Sequence, residues 1–199
     1  MVGERCDPDT IRWLTEKFPG IFLNDNWWQT ETGWPICSNF DNLHKFPTKA
    51  GSATKRTVGY QVTILDDKNE PVGENTLGNV CIKLPMPPSF MLTLWKNDEF
   101  FIKKYLSDNP GYYTTGDAGV LDEHQYLHIM TRTDDVLNCA GHRLSAGRIE
   151  EVVNSHPKVV ESAVIALNDD LKTEVPFAII VPADGEEIVD SELLKEVNL

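Results

Sequence analysis

The run Trp27-Trp28-Gln29-Thr30-Glu31-Thr32-Gly33 constrains the fold of this chain more than any other stretch. Four consecutive residues after the two indoles carry hydrogen-bonding side chains, and a core strand holds such a run only where each polar group finds a buried partner. A hydrophobic wall beside hydroxyls, an amide and a carboxylate suits a site that holds a small apolar group next to a phosphate and a metal ion. Three further clusters of polar residues and glycine follow it: Tyr113-Thr114-Thr115-Gly116-Asp117, Arg132-Thr133-Asp134-Asp135 and Ala140-Gly141-His142-Arg143.

Around these clusters the 199 residues are 41% hydrophobic, enough for a core in one domain or two small ones. The formal net charge of −13 argues against a nucleic-acid or anionic-membrane surface. It leaves room for a local nucleotide pocket built from a few Arg and Lys. Cys6, Cys37, Cys81 and Cys139 are widely spaced and form no Cys-x-x-Cys, so each reads as a reduced, buried residue in a reducing compartment. No apolar run is long enough to cross a bilayer. Residues 1–7 have neither a secretory apolar region nor a transit-peptide composition.

The pattern predicts a helix over residues 7–17, capped by Asp7 or Asp9, with Pro8 in its first turn and Pro19-Gly20 at its end. Residues 21–23 predict a short buried strand, and residues 38–57, polar and rich in Pro, Gly, Ser and Thr, a surface loop. Strands are expected at 60–65 and 78–84 around a turn at 66–69, with Pro85, Pro87 and Pro88 excluded from any sheet interior. A helix is expected over 97–106, a strand at 112–115, and a hairpin of 119–121 with 126–130. After Asp134 the texture changes. A small hairpin turns at Gly141, Ser145 caps a helix over 146–154, strands follow at 159–167 and 175–181, and Ser191 starts another helix. The whole reads as α/β, with an α+β unit at its C-terminal end.

Single residues leave alternatives open. Asp117 can accept two hydrogen bonds from a diol such as a ribose, or simply form a turn. Arg132 can bind a ribose or phosphate, or pair with one of the many surface acids. Asp134-Asp135 lacks further ligands at a sensible spacing, so a hinge or turn suits it better than a metal. Arg143 beside Gly141 can meet a phosphate at close backbone approach. His124 and His128 fall across a turn and strand, which disfavours a metal pair. The chain contains neither a Gly-rich phosphate loop with a lysine nor a Gly-x-Ser-x-Gly elbow.

Taken in order, the clusters resemble the adenylate-forming acyl-CoA synthetases, and within them the short-chain branch. Residues 27–33 resemble that branch's Trp-Trp-Gln-Thr-Glu-Thr-Gly motif, residues 112–117 its ribose-binding segment, and residues 132–143 its hinge segment. Gly3-Glu4-Arg5-Cys6 resembles the adenine-contact loop. The match is closer still to the propionyl-CoA-synthetase-like members through residues 3–7, 83–88, 94–97 and 140–147.

The resemblance implies the C-terminal part of a large AMP-binding domain over residues 1–134 and part of a small α+β domain over residues 135–199, with a hinge at Asp134. It implies ATP-dependent conversion of propionate or acetate, through an acyl-adenylate, to acyl-CoA, AMP and pyrophosphate. ATP and coenzyme A would be co-substrates and Mg²⁺ the cofactor, with the small-molecule carboxylate, ATP and coenzyme A as partners and neither nucleic acid nor membrane among them. Gly3, Glu4 and Arg5 would border the adenine, and Asn26, Trp27, Trp28, Gln29 and Thr30 the nucleotide and acyl pocket. Glu31 would hold Mg²⁺, Asp117 and Arg132 the ribose, and Arg143 a phosphate. Ala140 and Gly141 would line the coenzyme A tunnel, and a largely backbone cation site would lie at Asn154, His156 and Val159. Trp28 would limit acyl length, against the alternative of ordinary core packing.

Asn26 stands where many acetate-using relatives have Thr, Thr131 where Gly is commoner, and Ala140 where others have Ser; these departures bear on acyl preference. The family's phosphate loop is expected upstream of residue 1 and its catalytic lysine beyond residue 199, so the chain is expected to be a piece of a longer ligase. The competing expectation is a truncated, non-catalytic product that keeps partial nucleotide or partner binding. The propionate-like eukaryotic members point to the mitochondrial matrix.

Overall fold

The structure, a computed structural model, describes Cys6, residues 8–43, residues 45–186 and Ile188. The chain divides into two compact units, Met1–Ile129 and Met130–Leu199.

In the first unit, helix α1 (Pro8–Lys17) turns Ile11 into the core and pairs Arg12 with Asp9 on its outside. The strand expected at 21–23 does not form, and Ile21 is exposed. The polar residues that follow take over the pairing groups instead: the Asn39 amide donates to Asn24 Oδ1 at 3.0 Å, and Trp27 pairs with Cys37 as an isolated bridge. Strands β1 (Cys37–Ser38) and β2 (Lys55–Arg56) form a small antiparallel pair.

The expected surface loop at 38–57 holds over residues 40–43 and 45–50, which are exposed or half-buried, but is corrected at Gly51, Ser52, Ala53, Thr54 and Thr57, which are buried. Small side chains and backbone hydrogen bonds offset the cost of that burial. Ala53 N and Ser52 Oγ donate to the Leu127 carbonyl at 3.1 and 2.8 Å, Leu127 N to Thr54 O at 2.9 Å, and Thr57 Oγ1 to Pro35 O at 2.7 Å.

The main sheet has the order β3 (Val62–Leu65), β4 (Gly78–Lys83), β5 (Tyr112–Leu121) and β6 (Leu127–Arg132). Strand β5 is continuous where two pieces were expected. Its register on β4 jumps between Val80 opposite Asp117 and Cys81 opposite Thr114. Thr115 and Gly116 therefore form a bulge, with Gly116 at φ 73°, a conformation that favours glycine. Helix α2 (Asp98–Tyr105), capped by Asn97, buries Phe101 and Tyr105 against a core that includes Trp27, Ile36, Tyr60, Val80, Ile82, Tyr113 and Leu127.

Among its described residues the second unit is a sheet of order β8-β7-β10-β9 with helix α3 packed on it. Its elements are β7 (Val136–Cys139), β8 (His142–Ser145), α3 (Ala146–Asn154), β9 (Val159–Asp169) and β10 (Thr173–Pro182). Ala140 and Gly141 both have positive φ, 50° and 83°, as a two-residue hairpin turn requires. Ser145 Oγ accepts the Arg148 amide at 3.2 Å and caps α3. Leu137, Ala146 and Val164 make the buried cluster beneath it. The helix expected from Ser191 lies outside the described residues. Among the described residues no helix is long and apolar enough to cross a membrane.

Candidate functional site

The alternation of an extended backbone sends the two adjacent indoles opposite ways. Trp27 is buried, whereas Trp28 is 44% exposed. Core packing thus accounts for Trp27 and not for Trp28. The Trp27 indole Nε1 donates to Asp117 Oδ2 at 3.1 Å, and Gln29 Nε2 donates to the same oxygen at 2.9 Å and to the Thr115 carbonyl at 2.8 Å. Gln29 Oε1 in turn accepts the Tyr113 hydroxyl at 2.8 Å. From the bulge, Thr115 Oγ1 donates to Val80 O at 2.6 Å and accepts the Asp117 amide at 3.1 Å. Asp117 is consequently a buried carboxylate within a strand, fixed by side chains some 90 residues away in sequence. A simple turn-forming role does not describe it.

Beyond Gln29 the chain winds into a 3-10 helix, Thr30–Thr32, and leaves it at Gly33 with φ 60°. A Cβ at Gly33 would sit 2.8 Å from the Ser89 carbonyl, so the turn admits no side chain without moving backbone. Thr32 is fully buried, with its hydroxyl 2.8 Å from the Gln29 carbonyl, and the Tyr60 hydroxyl donates to Thr32 O at 3.2 Å. Glu31 is half-buried. Its Oε1 accepts the Tyr105 hydroxyl at 2.9 Å, and its carbonyl accepts the Met91 amide at 2.8 Å. Burial, and next the hydrogen bond to Glu31, push the Tyr105 phenol above its ordinary range, so it stays protonated and donates at neutral pH. Glu31 Oε2 has no partner among the described residues. A carboxylate with one oxygen fixed and one open fits a hard cation such as Mg²⁺.

Two aromatic rings organise these acceptors. Tyr105 and Tyr113 stack with centroids 5.5 Å apart and planes at 19°, flanked by Phe101 and Phe90. One hydroxyl of the stack holds Gln29 and the other holds Glu31. The sequence pattern places Tyr105 only within the helix expected over 97–106. The signal passed over is that a buried tyrosine hydroxyl needs an acceptor. Asn26 lies at the flank, hydrogen-bonded by Ser38 Oγ, and Thr30 is exposed.

Asp122, Glu123 and His124 bring donor atoms within 4.8 Å of one another. Asp122 is already committed, however. Oδ1 accepts the His124 and Tyr126 amides at 2.9 and 2.8 Å, and Oδ2 pairs with Lys49 and lies 3.8 Å from His128 Nε2. Burial works against its charge, but the Lys49 bond and the two amides outweigh that and hold its carboxyl at about 2. This cluster locks the β5–β6 turn. His128 also has Nδ1 3.2 Å from the Gly51 carbonyl.

In the second unit, Arg132 ends β6 with Nε 3.9 Å from Asp134, and Asp134 and Asp135 are exposed on the 3-10 helix Thr133–Asp135. Ala140 and Gly141 form the exposed β7–β8 turn, and Arg143 is half-buried in β8 opposite Asn138. Asn154 ends α3, His156 lies on the turn that follows and Val159 starts β9, and the Val159 amide donates to the His156 carbonyl at 3.0 Å. The first unit therefore joins Trp27, Gln29 and Asp117 by direct bonds, with Glu31 beside them through the tyrosine stack. The second holds its expected residues at three separate places. Gly3, Glu4 and Arg5 lie outside the described residues.

Two family models match the chain: AMP-binding enzyme over residues 1–94 and AMP-binding enzyme C-terminal domain over residues 148–198. The mitochondrial acyl-CoA synthetase short-chain family member 3 of Rattus norvegicus is 45% identical, over 99% of this chain and 29% of that protein. The mitochondrial acyl-CoA synthetase short-chain family member B of Dictyostelium discoideum is 43% identical, over 98% of this chain and 29% of that protein. The propionate–CoA ligase of Salmonella typhimurium is 39% identical, over 98% of this chain and 31% of that protein. The chain thus spans 29–31% of the length of these curated relatives. Among solved structures, the amide bond synthetase McbA from Marinactinospora thermotolerans superposes with a TM-score of 0.80 at 24% identity, covering 98% of this chain and 38% of that one. The ATP-bound RpMatB-BxBclM chimera B3 superposes with a TM-score of 0.78, also at 24% identity, covering 96% of this chain and 36% of that one. Both share the fold.

Proposed function

From a chain that belongs to the AMP-binding enzyme family, among its short-chain acyl-CoA synthetases, we infer that the whole protein activates a short-chain carboxylate, propionate or acetate, with ATP and passes the acyl group to coenzyme A. In the first half-reaction a carboxylate oxygen attacks the α-phosphorus of ATP and pyrophosphate leaves, giving an acyl-adenylate. In the second, the coenzyme A thiol loses its proton and attacks the acyl carbon, and AMP leaves.

Within that reaction this chain binds and orients. Asp117 accepts hydrogen bonds from the ribose hydroxyls, with Arg132 as a second grip and Arg143 on a phosphate. Trp27, Gln29 and Asn26 line the nucleotide side of the pocket with Thr30, and Gly3, Glu4 and Arg5 border the adenine. Trp28 stands at the end of the acyl pocket and excludes longer chains. Glu31 would hold Mg²⁺, which would neutralise charge on the ATP phosphates. Ala140 and Gly141 line the path of the pantetheine arm, and Asn154, His156 and Val159 would hold a cation largely through backbone. Residues 1–134 belong to the large domain, residues 135–199 to the small one, and Asp134 is the hinge between them. The mitochondrial names of several relatives support a matrix location, and a bacterial relative matches as well.

The observation that carries this reading is the buried Asp117 carboxylate, whose Oδ2 is fixed by Trp27 and Gln29. An ionised carboxylate held this way only accepts hydrogen bonds, which suits a diol. Asp117→Asn puts a donor where the ribose donates. It is expected to raise the KM for ATP by about ten- to a hundredfold, on the scale of one lost charge-assisted bond of about 1.5–3 kcal/mol, with the KM for propionate little changed. Equal ATP KM values in variant and wild type would remove Asp117 from the nucleotide site.

A further inference from the structure

We propose that Tyr105 is a positioning residue for Glu31: it fixes one carboxylate oxygen of Glu31 and thereby presents the other to a divalent cation. The proposal rests on the reading of Glu31 as the Mg²⁺-holding residue. Its own ground is the geometry of helix α2. Tyr105 is the last residue of that helix, and its hydroxyl donates to Glu31 Oε1 at 2.9 Å. The ring is buried and stacked on Tyr113, with Phe101 on the same helix beside it, so the hydroxyl has little freedom to leave. Glu31 itself sits in a single turn of 3-10 helix, a poor scaffold for a long, flexible side chain. Two backbone anchors hold that turn from outside, the Met91 amide on Glu31 O and the Tyr60 hydroxyl on Thr32 O, but neither reaches the carboxylate.

Oε2 is left without a partner among the described residues. A carboxylate hydrogen-bonded on one oxygen and open on the other is the arrangement by which a neighbour orients a ligating group, and losing such a neighbour typically weakens metal affinity about 10–100-fold. The adjacent Tyr113 does the same for Gln29, so α2 and β5 together hold the Gln29 and Glu31 side chains. Lys104 lies 5.3 Å from the centre of the Tyr105 ring and packs on it without reaching the carboxylate.

The test measures Mn²⁺ binding by electron paramagnetic resonance in the whole protein with α,β-methylene-ATP, in wild type, Tyr105→Phe, Glu31→Gln and the double variant. Tyr105→Phe keeps the ring and its stack, and its urea midpoint checks the fold. The expected result is an Mn²⁺ dissociation constant about tenfold weaker in Tyr105→Phe, with no further loss when the same change is made in Glu31→Gln. In turnover, the Mg²⁺ concentration for half-maximal rate should rise more than kcat falls, whereas a merely structural role would lower the midpoint and kcat together. Wild-type Mn²⁺ affinity in Tyr105→Phe overturns the proposal, and so does an equal loss in both backgrounds, because Tyr105 would then act without Glu31. Should Tyr105→Phe unfold the protein, Glu31→Asp draws the carboxylate away from the phenol and keeps its charge; wild-type affinity there is equally fatal. A wild-type protein that makes propionyl-CoA while Glu31→Gln binds Mn²⁺ normally refutes the Glu31 assignment and this inference with it, leaving the reaction standing. No acyl-CoA at all refutes the reaction itself.

Discussion

Gln29→Met is the perturbation whose cost the structure sets most directly. Methionine has nearly the same length and volume as glutamine, so packing changes little, but it removes three hydrogen bonds at once. Gln29 Nε2 donates to the charged Asp117 Oδ2 at 2.9 Å, a bond in the class worth about 1.5–3 kcal/mol. It also donates to Thr115 O, and Oε1 accepts from Tyr113, each a neutral bond worth about 0.5–1.5 kcal/mol. Allowing for the part exposure of Gln29, the substitution should cost about 3 kcal/mol, measured by urea unfolding of the 199-residue chain followed by tryptophan fluorescence. A cycle with Tyr113→Phe isolates one of the three bonds. Tyr113→Phe should cost about 1 kcal/mol in the wild-type background and close to nothing when Gln29 is already Met. A loss below about 1 kcal/mol for Gln29→Met, or an equal cost of Tyr113→Phe in both backgrounds, refutes the network as the element that fixes Asp117.

Asp122→Asn should destabilise the first unit by about 2 kcal/mol at pH 7, from a carboxyl lowered from 3.8 to about 2. Because the folded value is the lower one, this stability is fully present above pH 3.8 and fades as pH falls toward 2. The urea midpoints of wild type and variant should therefore converge in acid, and a constant gap down to pH 2 contradicts the Lys49–Asp122 assignment. Trp28→Gly in the whole protein should shift preference from propionate toward longer acids by about tenfold or more per admitted methylene, measured as kcat/KM ratios. An unchanged profile removes Trp28 as the length limit.

Elements with local, self-contained signals were legible in the sequence. Ser145 caps α3, Gly141 sits in a two-residue hairpin turn, and the helix expected over 97–106 forms as α2. The misreadings lie where long-range pairing overrides local texture. Residues 51–54 look like loop because they lie in a polar stretch rich in Pro, Gly, Ser and Thr, yet they are buried, with Ala53 N and Thr54 O paired to Leu127. Strand β5 reads as two pieces because Gly116 resembles a turn, and only its register on β4 turns the glycine into a bulge. That bulge aims Thr115 and Asp117 at the Trp27 and Gln29 side chains. The polar run announced that it needed buried partners, but not which. Tyr105 and Tyr113, some 74 and 84 positions away, are identified as partners only by the fold.

The central claim is tested most directly by the products. The whole protein, supplied with propionate, ATP, Mg²⁺ and coenzyme A, should yield propionyl-CoA, AMP and pyrophosphate in equal amounts by mass spectrometry, with propionyl-AMP accumulating when coenzyme A is withheld. Release of ADP and phosphate, or no acyl-CoA from acetate or propionate, would contradict it.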